Sequence, residues 1–291
     1  MEELRGKVAV ITGAASGIGL GLAERAAREG MRVVMADIET PALAAAEAKV
    51  RALGAETLAR VTDVRRQADL DALAEAAYAR FGAVHLLCNN AGVLHHEKPV
   101  WEFEQADWDW VFDVNVWGVV NGLRSFVPRM LAGGEEGHVV NTASMAGLVA
   151  GRIGNAIYDA SKHAVLALSE SLYRDLTVET AKVSASVLCP GGVATNIWTA
   201  ERNRQSDYGE VTSPEPIIRD PMRSSPGILQ PSDMADAVFE AVRENRFYIL
   251  ASQVEILEIV RMGHDRMWEG RNPAIARRLI AAREQRHGTG S

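Results

Sequence analysis

Tyr158 and Lys162 stand four residues apart in the stretch Tyr158-Asp159-Ala160-Ser161-Lys162. That spacing puts a phenol and an ammonium on one face of a helix. A neighbouring ammonium favours the phenolate and lowers a pKa that starts near ~10. A phenol so tuned can take or give a proton near neutral pH. Upstream, the run Val139-Val140-Asn141-Thr142-Ala143-Ser144 is strand-like and ends on a hydroxyl, so Ser144 can hydrogen-bond the same substrate oxygen. A lone Tyr-x-x-x-Lys is an ordinary pair of helix neighbours, and its meaning depends on what the rest of the chain places around it.

The elements that must position these residues alternate along the chain. Residues 7–14 form a short apolar run ending at glycine, suited to a strand buried on both faces. Residues 17–29 carry helical periodicity, with Ile18, Leu22, Ala23 and Ala26 on one side and Glu24, Arg25 and Arg28 on the other, and Gly30 stops them. The rhythm repeats with strands at 32–38, 56–64, 84–88, 138–143 and 182–189, and helices at 40–53, 67–81, 105–132 and 155–179. Buried strands alternating with helices give an α/β fold: a doubly wound parallel sheet with helices on both faces. Residues 1–291 read as one domain. From 195 to 230 the pattern fails and prolines scatter through a polar stretch, as expected of a lid over a site. A helix at 231–245 and a strand at 247–251 follow, and 253–291 reads as an arginine-rich helical extension.

The first strand runs into Thr12-Gly13-Ala14-Ala15-Ser16-Gly17-Ile18-Gly19. Glycines there let the backbone approach a pyrophosphate, and the helix that follows offers free N–H groups and its positive dipole end. The spacing is Gly-x-x-x-Gly-x-Gly rather than the commoner Gly-x-Gly-x-x-Gly. Asp37 ends the second strand, where a carboxylate can accept both ribose hydroxyls of an adenosine and repel a 2′-phosphate. No Arg or Lys stands at Ala15, Ser16, Ile38 or Glu39, so the expected cofactor is NAD rather than NADP.

Composition excludes other classes. Of 291 residues 47% are hydrophobic and 24% charged, as in a soluble globular protein, and the formal net charge of −7 gives no global field to attract nucleic acid. No apolar run approaches the ~20 residues of a membrane span, and the first residues lack the core of a secretory signal. Cys88 and Cys189 lie far apart inside apolar runs and read as buried, reduced thiols of a cytoplasmic protein. His85, His95, His96 and Glu97 lack the spacing of a zinc site, so no metal is expected. Trp101, Phe103, Trp108, Trp110 and Trp117 read as core or subunit interface, and the arginines from Arg261 to Arg286, offset by acids, as a solvated or packing helix.

Thr12-Gly-x-x-x-Gly17-Ile18-Gly19, Asp63, Asn89-Asn90-Ala91-Gly92, Asn115, Ser144, Tyr158-x-x-x-Lys162 and Pro190-Gly191 together, in this order, resemble the short-chain dehydrogenase/reductase family. The resemblance covers 5–195 closely and 230–252 loosely. It implies a Rossmann-like sheet of about seven strands in the order 3-2-1-4-5-6-7. It implies Tyr158 as general acid/base, Lys162 lowering the Tyr158 pKa and holding the nicotinamide ribose, and Ser144 polarising the carbonyl. Asn115 would support a proton relay through water to Lys162. Gly13, Ser16, Gly17, Ile18 and Gly19 would hold the pyrophosphate, and Asp63 and Val64 would flank the adenine. Asn89, Asn90, Ala91 and Gly92 would line the ribose side, and Pro190, Gly191, Val193 and Thr195 the nicotinamide pocket. Met145, His95 and Trp198 are the candidate substrate contacts. The implied activity is reversible NAD-linked interconversion of a secondary alcohol and a ketone, by a homotetramer or homodimer acting on a small molecule, with no nucleic-acid or membrane partner. The stretch from Asp107 to Gly122 is also similar to dehydrogenases of the benzylic alcohol of lignin-derived aryl ethers, which points to a bulky or aromatic hydrophobic alcohol. An NADP-linked ketone reductase and a catalytically silent NAD(P)-sensing regulator are the alternatives. The regulator is disfavoured because both Tyr158 and Lys162 stand.

Overall fold

Along the first strand, Val8–Thr12, every residue is buried, yet successive side chains enter different cores: Ala9 and Ile11 one, Val8 and Val10 the other. That is the two-residue period of a strand covered on both faces. The computed structural model describes residues 1–150, 153–209 and 227–274. Within them the order is β1 (Val8–Thr12), α1 (Gly17–Arg28), β2 (Arg32–Asp37), α2 (Thr40–Ala52), β3 (Thr57–Val61), α3 (Gln67–Phe81) and β4 (Leu86–Asn89). Then come α4 (Gln105–Phe112), α5 (Gly118–Gly133), β5 (Gly137–Thr142), α6 (Ala156–Glu179), β6 (Val183–Leu188), α7 (Pro231–Glu244), β7 (Tyr248–Ile249) and α8 (Val254–Trp268).

All seven strands are parallel, in the order β3-β2-β1-β4-β5-β6-β7. One core is built from α1, α2 and α7 through Leu22, Leu43, Val50, Val238 and Phe239. The other is built from α3 to α6 through Leu70, Leu73, Trp110, Phe126 and Ile157. Burying each such side chain stabilises the sheet by ~1.5–3 kcal/mol, which fixes where the carboxyl ends of the strands lie. Cys88 and Cys189 are buried and unbridged.

The helical stretch read as continuous from 105 to 132 contains one irregularity. Residues Asp113–Trp117 form a π turn, in which the Gly118 N–H reaches the Asp113 carbonyl instead of the one a residue nearer. Such insertions gather at functional sites. The aromatic group divides: Trp110 is fully buried, whereas Trp101 is 81% exposed and Trp117 52%.

The stretch beyond Thr195 is more regular than its sequence suggests. Residues Asn196–Asn203 and Ser206–Tyr208 form short 3-10 turns, a strap capped by the Thr195 hydroxyl, which accepts from the Ile197 N–H. The remainder of the expected lid, 210–226, lies outside the described residues, as do Gly151, Arg152 and 275–291. The chain divides into two compact units, the first being Met1–Gln253. Of the second, beginning at Val254, α8 carries an Arg261–Asp265 pair at 3.2 Å one helical turn apart.

Candidate active site

Glycines make room where the chain must turn most sharply. Gly13 and Gly17 have φ of +65° and +56°, values that side chains disfavour. A Cβ on Gly19 would stand 2.1 Å from the Gly13 carbonyl oxygen, so only glycine lets α1 start this close to β1. Ser16, the residue before α1, makes no side-chain cap bond. The first-turn amides of α1, which have no partner within the helix, therefore face the cleft with the dipole's positive end. A backbone so arranged suits a pyrophosphate.

The cleft runs across the carboxyl ends of the strands and encloses about 1060 Å³ counting space open to solvent. Gly13, Ser16, Gly17, Ile18, Asp37, Asp63, Val64, Asn90, Ala91, Gly92, Tyr158, Lys162, Pro190 and Thr195 all line it. Gly191 and Val193 stand behind that wall. Val193 is buried and bridges to Leu229, and a Cβ on Gly191 would collide with Ser252. Asn89 departs from expectation. It is buried in the sheet, where its Nδ2 donates to Asn141 Oδ1 at 2.9 Å.

At one end of the cleft the Asp37 carboxylate accepts from the N–H groups of Ala15 at 2.9 Å and Glu39 at 3.0 Å. Burial raises its pKa, the Glu39 charge adds to this, and the backbone donors oppose it. Asp63, placed beside the adenine by the resemblance, is tied to its own loop. Arg65 Nη2 lies 2.6 Å from its Oδ2, and Arg65 Nε 2.9 Å from its Oδ1.

At the other end α6 carries Tyr158 and Lys162 on one face, with Lys162 Nζ 5.6 Å from the centre of the Tyr158 ring. Lys162 is 3% exposed and donates to the Thr142 carbonyl at the end of β5, at 2.9 Å. Burial lowers the Lys162 pKa from 10.5 to about 8. The group that favours a phenolate is thus itself able to pass a proton near neutral pH. Ser144, just past β5, accepts from the Ala146 N–H at 3.1 Å, which fixes its hydroxyl oxygen at the head of a short 3-10 turn.

Asn115 sits in the π turn. Its Oδ1 accepts from Val93 N at 2.8 Å, and its Nδ2 donates to Val93 O and Ser161 Oγ, each at 3.0 Å. It therefore joins the loop after β4 to α6. A Cβ on Gly92 would meet Asn115 Oδ1 at 3.3 Å and Lys162 Nζ at 3.4 Å, so both groups converge on the same glycine.

The candidate substrate contacts fare unevenly. Met145 is buried behind Ser144, with its N–H on the Pro190 carbonyl at 3.0 Å. Trp198 is half-buried on the strap and is not part of the cleft lining, whereas Asn196, Ile197, Ala200, Arg202 and Asn203 of the same strap are. His95 is only 2% exposed and both its ring nitrogens are engaged within the protein, so it does not stand on the cleft wall as a substrate contact. Among the described residues no three His, Cys, Asp or Glu gather as a metal site, and no helix is long and apolar enough to cross a membrane.

Sequence reasoning missed the strap's own chemistry. Arg202 reaches Glu39, two residues past Asp37, at 2.6 Å, and Asn203 donates to the same carboxylate at 2.8 Å. A cation therefore does approach the adenosine end of the cleft, but from 163 residues away and already paired. Deeper, Arg204 Nη1 donates to Asp107 Oδ1 at 2.7 Å, with both side chains nearly enclosed. Burial works against the Asp107 carboxylate. Donation from Arg204 and the Glu104 N–H, with the Lys98 and Arg204 charges, outweighs that and lowers its pKa. Magnitudes separate the two ties. The Arg202–Glu39 pair is about a third exposed, so screening leaves it under ~1 kcal/mol. Leaving Arg204 buried and unpaired costs ~3 kcal/mol. Asp107→Asn is therefore expected to lower the melting temperature by several degrees and open 196–209 to protease, and Glu39→Gln to do neither. Equal effects from the two would show that burial does not decide the anchor.

The comparisons agree with this geometry. Residues 7–206 match the family model described as short chain dehydrogenase. A 1-deoxy-11-beta-hydroxypentalenate dehydrogenase of Streptomyces avermitilis is 40% identical over 251 residues, 86% of each chain. A C alpha-dehydrogenase of a Sphingobium species is 32% identical over 253 residues, 86% of this chain and 82% of that one. Among solved structures, a short chain dehydrogenase/reductase of Burkholderia phymatum in complex with NAD superposes with a TM-score of 0.89 at 45% identity, covering 95% of this chain and 99% of that one. With the sheet order, the glycine turn and the Tyr–Lys face of α6 already in place, the match over 7–206 settles the lineage: this chain is an oxidoreductase of the short-chain dehydrogenase family.

Proposed function

We propose that the protein is an NAD-dependent dehydrogenase that interconverts a secondary alcohol and a ketone, with Tyr158 as the general acid/base. The observation that carries this reading is the buried Lys162 ammonium set 5.6 Å from the Tyr158 ring in the cleft wall. A nicotinamide dinucleotide bound there supplies the hydride acceptor. The protein's own task is the proton and the charge on oxygen. The Tyr158 phenolate takes the alcohol proton. Lys162, whose ammonium favours the phenolate and whose pKa is lowered to about 8, releases a proton to solvent and takes up that of the Tyr158 phenol, so that the phenolate re-forms. The Ser144 hydroxyl keeps its proton and donates a hydrogen bond to the substrate oxygen in either direction. Asn115 keeps Lys162 and the loop at Gly92 in register.

Asp37 supports NAD over NADP, since a 2′-phosphate would meet its carboxylate and Arg202 is already neutralised by Glu39. A bulky or aromatic hydrophobic alcohol is the proposed substrate class. It is supported by the likeness of Asp107 to Gly122 to benzylic alcohol dehydrogenases and by relatives named as a hydroxypentalenate dehydrogenase and a C alpha-dehydrogenase. We also propose that 1–291 serves as a single nucleotide-binding domain, with 195–230 as its substrate lid and 253–291 as a C-terminal helical extension.

The test is to mix the purified protein with NAD⁺ or NADP⁺ and a panel of secondary alcohols, and to follow the absorbance of reduced cofactor. Turnover with NAD⁺ is expected. Tight NAD⁺ binding with no turnover on any alcohol, in either direction, favours the silent sensor instead. The double variant Asp37→Ala/Ile38→Arg is expected to shift the kcat/KM ratio for NAD⁺ over NADP⁺ by ~100-fold, about 3 kcal/mol. An unchanged ratio removes Asp37 from the ribose.

A further inference from the structure

His95 lies on the loop that follows β4, 63 residues before Tyr158, and is 2% exposed. Its Nδ1 is 2.6 Å from the His96 carbonyl oxygen, and its Nε2 is 3.2 Å from the Tyr158 backbone nitrogen. A carbonyl oxygen only accepts and a backbone N–H only donates. The ring must therefore be neutral, with its proton on Nδ1 and its lone pair on Nε2. Burial lowers the ring's pKa, which agrees with a neutral imidazole. Phe103 meets the ring edge-on at 4.7 Å between centres, which fixes its plane.

The bond falls where α6 needs it. Helix amides in the first turn have no intrahelical acceptor, and a Ser, Thr, Asp or Asn before the helix commonly supplies one. Here the preceding residue, Asn155, makes no side-chain cap, and its Nδ2 instead donates to Asp159 Oδ1 at 2.5 Å. The acceptor for the Tyr158 amide comes from the distant imidazole. The same loop is pinned on both sides. Lys98 N donates to the Gly154 carbonyl just before α6 at 3.2 Å, and His96 N and Nε2 lie 3.3 and 3.0 Å from the two oxygens of Glu201 on the strap. The loop from His95 to Lys98 thus braces the turn that bears Tyr158 against the strap that lines the cleft.

We propose that His95 is a positioning residue, whose Nε2 caps the Tyr158 amide and so fixes the first turn of α6 with the phenol aimed at the substrate oxygen. The proposal rests on the reading of Tyr158 as the proton carrier. A reacting group displaced by 1 Å can lose ~100-fold in rate, so a loosened turn should act on kcat before it acts on cofactor binding.

Two variants separate capping from packing. His95→Phe keeps an aromatic ring against Phe103 but has no acceptor, whereas the Gln in His95→Gln can accept from the Tyr158 N–H through its amide oxygen. His95→Phe is expected to lower kcat ~10-fold or more, with the NAD⁺ dissociation constant within ~threefold of wild type, and His95→Gln to recover kcat to within ~threefold. Wild-type kcat per folded molecule in His95→Phe, or equal impairment of both variants, overturns the proposal. Should neither variant fold, ¹⁵N-histidine NMR of the wild type decides. A neutral ring protonated on Nδ1 between pH 6 and 8 is expected, and a ring protonated on Nε2 overturns the cap. Tyr158→Phe is assayed alongside. If it retains turnover, the proton-carrier reading fails whatever His95 does. If it is inactive while His95→Phe is fully active, the positioning role alone fails.

Discussion

Tyr158→Phe is expected to reduce turnover by about a thousandfold or more while leaving NAD⁺ affinity within ~threefold of wild type. The substitution removes one oxygen and keeps the ring that Lys162 faces at 5.6 Å. General acid–base catalysis contributes roughly 10²–10⁴ in rate, and a loss near the upper end follows if no neighbour replaces the phenol. Lys162 could deprotonate near pH 8, but its Nζ is held on the Thr142 carbonyl at 2.9 Å rather than free to reach the substrate. Single-turnover rates and cofactor titration check the two halves separately. Retained turnover would move the proton to another group. A parallel loss of NAD⁺ binding would show that the phenol serves the cofactor and not the chemistry.

Lys162→Met is expected to abolish activity and, in the same molecule, to raise stability at neutral pH. Burial holds the Lys162 pKa at about 8 in the folded chain against an ordinary 10.5, a gap worth ~3 kcal/mol. Between those values the unfolded chain binds more protons than the folded one, so wild-type stability rises with pH through that window and is lost as pH falls through 8. At pH 7 the wild type carries the whole penalty of a buried ammonium. The Met in Lys162→Met fills similar space without charge and gives up only the Thr142 hydrogen bond, worth about 1 kcal/mol. The net gain is ~2 kcal/mol, several degrees in melting temperature at pH 7, measured without cofactor because bound ligand adds its own stabilisation. The gain should shrink steadily above pH 8, reach zero at about pH 9.5–10, and turn into a loss approaching about 1 kcal/mol above 10.5, where only the missing hydrogen bond remains. A pH-independent difference, or a loss of stability at pH 7, would show that Lys162 is not held at a depressed pKa. The residue that the proposed chemistry needs most is thus one the fold would be more stable without.

How much of this was legible in the sequence depends on the range over which each signal acts. The alternation of buried strands with helices and the glycine turn were readable because helical periodicity, apolar runs and Gly13, Gly17 and Gly19 are local patterns, whereas the strand order followed only from the family resemblance. Tyr158, Lys162 and Asp37 were readable for the same reason, and the structure brings all three to one cleft. What was illegible depends on residues distant in sequence. Nothing near Glu39 announces that Arg202 will neutralise it, and nothing near Tyr158 announces that His95 will cap its amide. From sequence His95 is a candidate substrate contact, three residues beyond the Asn-Asn-Ala-Gly turn. Its burial, set by Phe103 and the start of α6, was invisible from spacing. The whole stretch 195–230 reads as irregular because its polar residues and the prolines from Pro214 onward carry no period. Yet 196–208 is ordered by long-range pairs, Arg204 with Asp107 and Tyr208 with Asp113 at 2.6 Å.

The π turn at Asp113–Trp117 has a consequence for the rod formed by α4 and α5. One surplus residue advances the rotational phase of everything after it by about 100°. Trp110 and Val111 before the turn and Phe126 and Met130 after it nevertheless belong to the same core. The two halves are therefore tuned to a helix that is one residue out of step, and the sequence on either side encodes the offset. The misfit leaves Asn115 pointing at Val93 and Ser161 rather than along an ordinary helical stripe. Excising a single residue here would restore a smooth α-helix, which the backbone alone would favour. It would also swing one half of the apolar stripe out of the core and Asn115 away from Lys162. The defect in the helix is thus protected by the packing on both sides of it: the core keeps the chemistry by refusing the better helix.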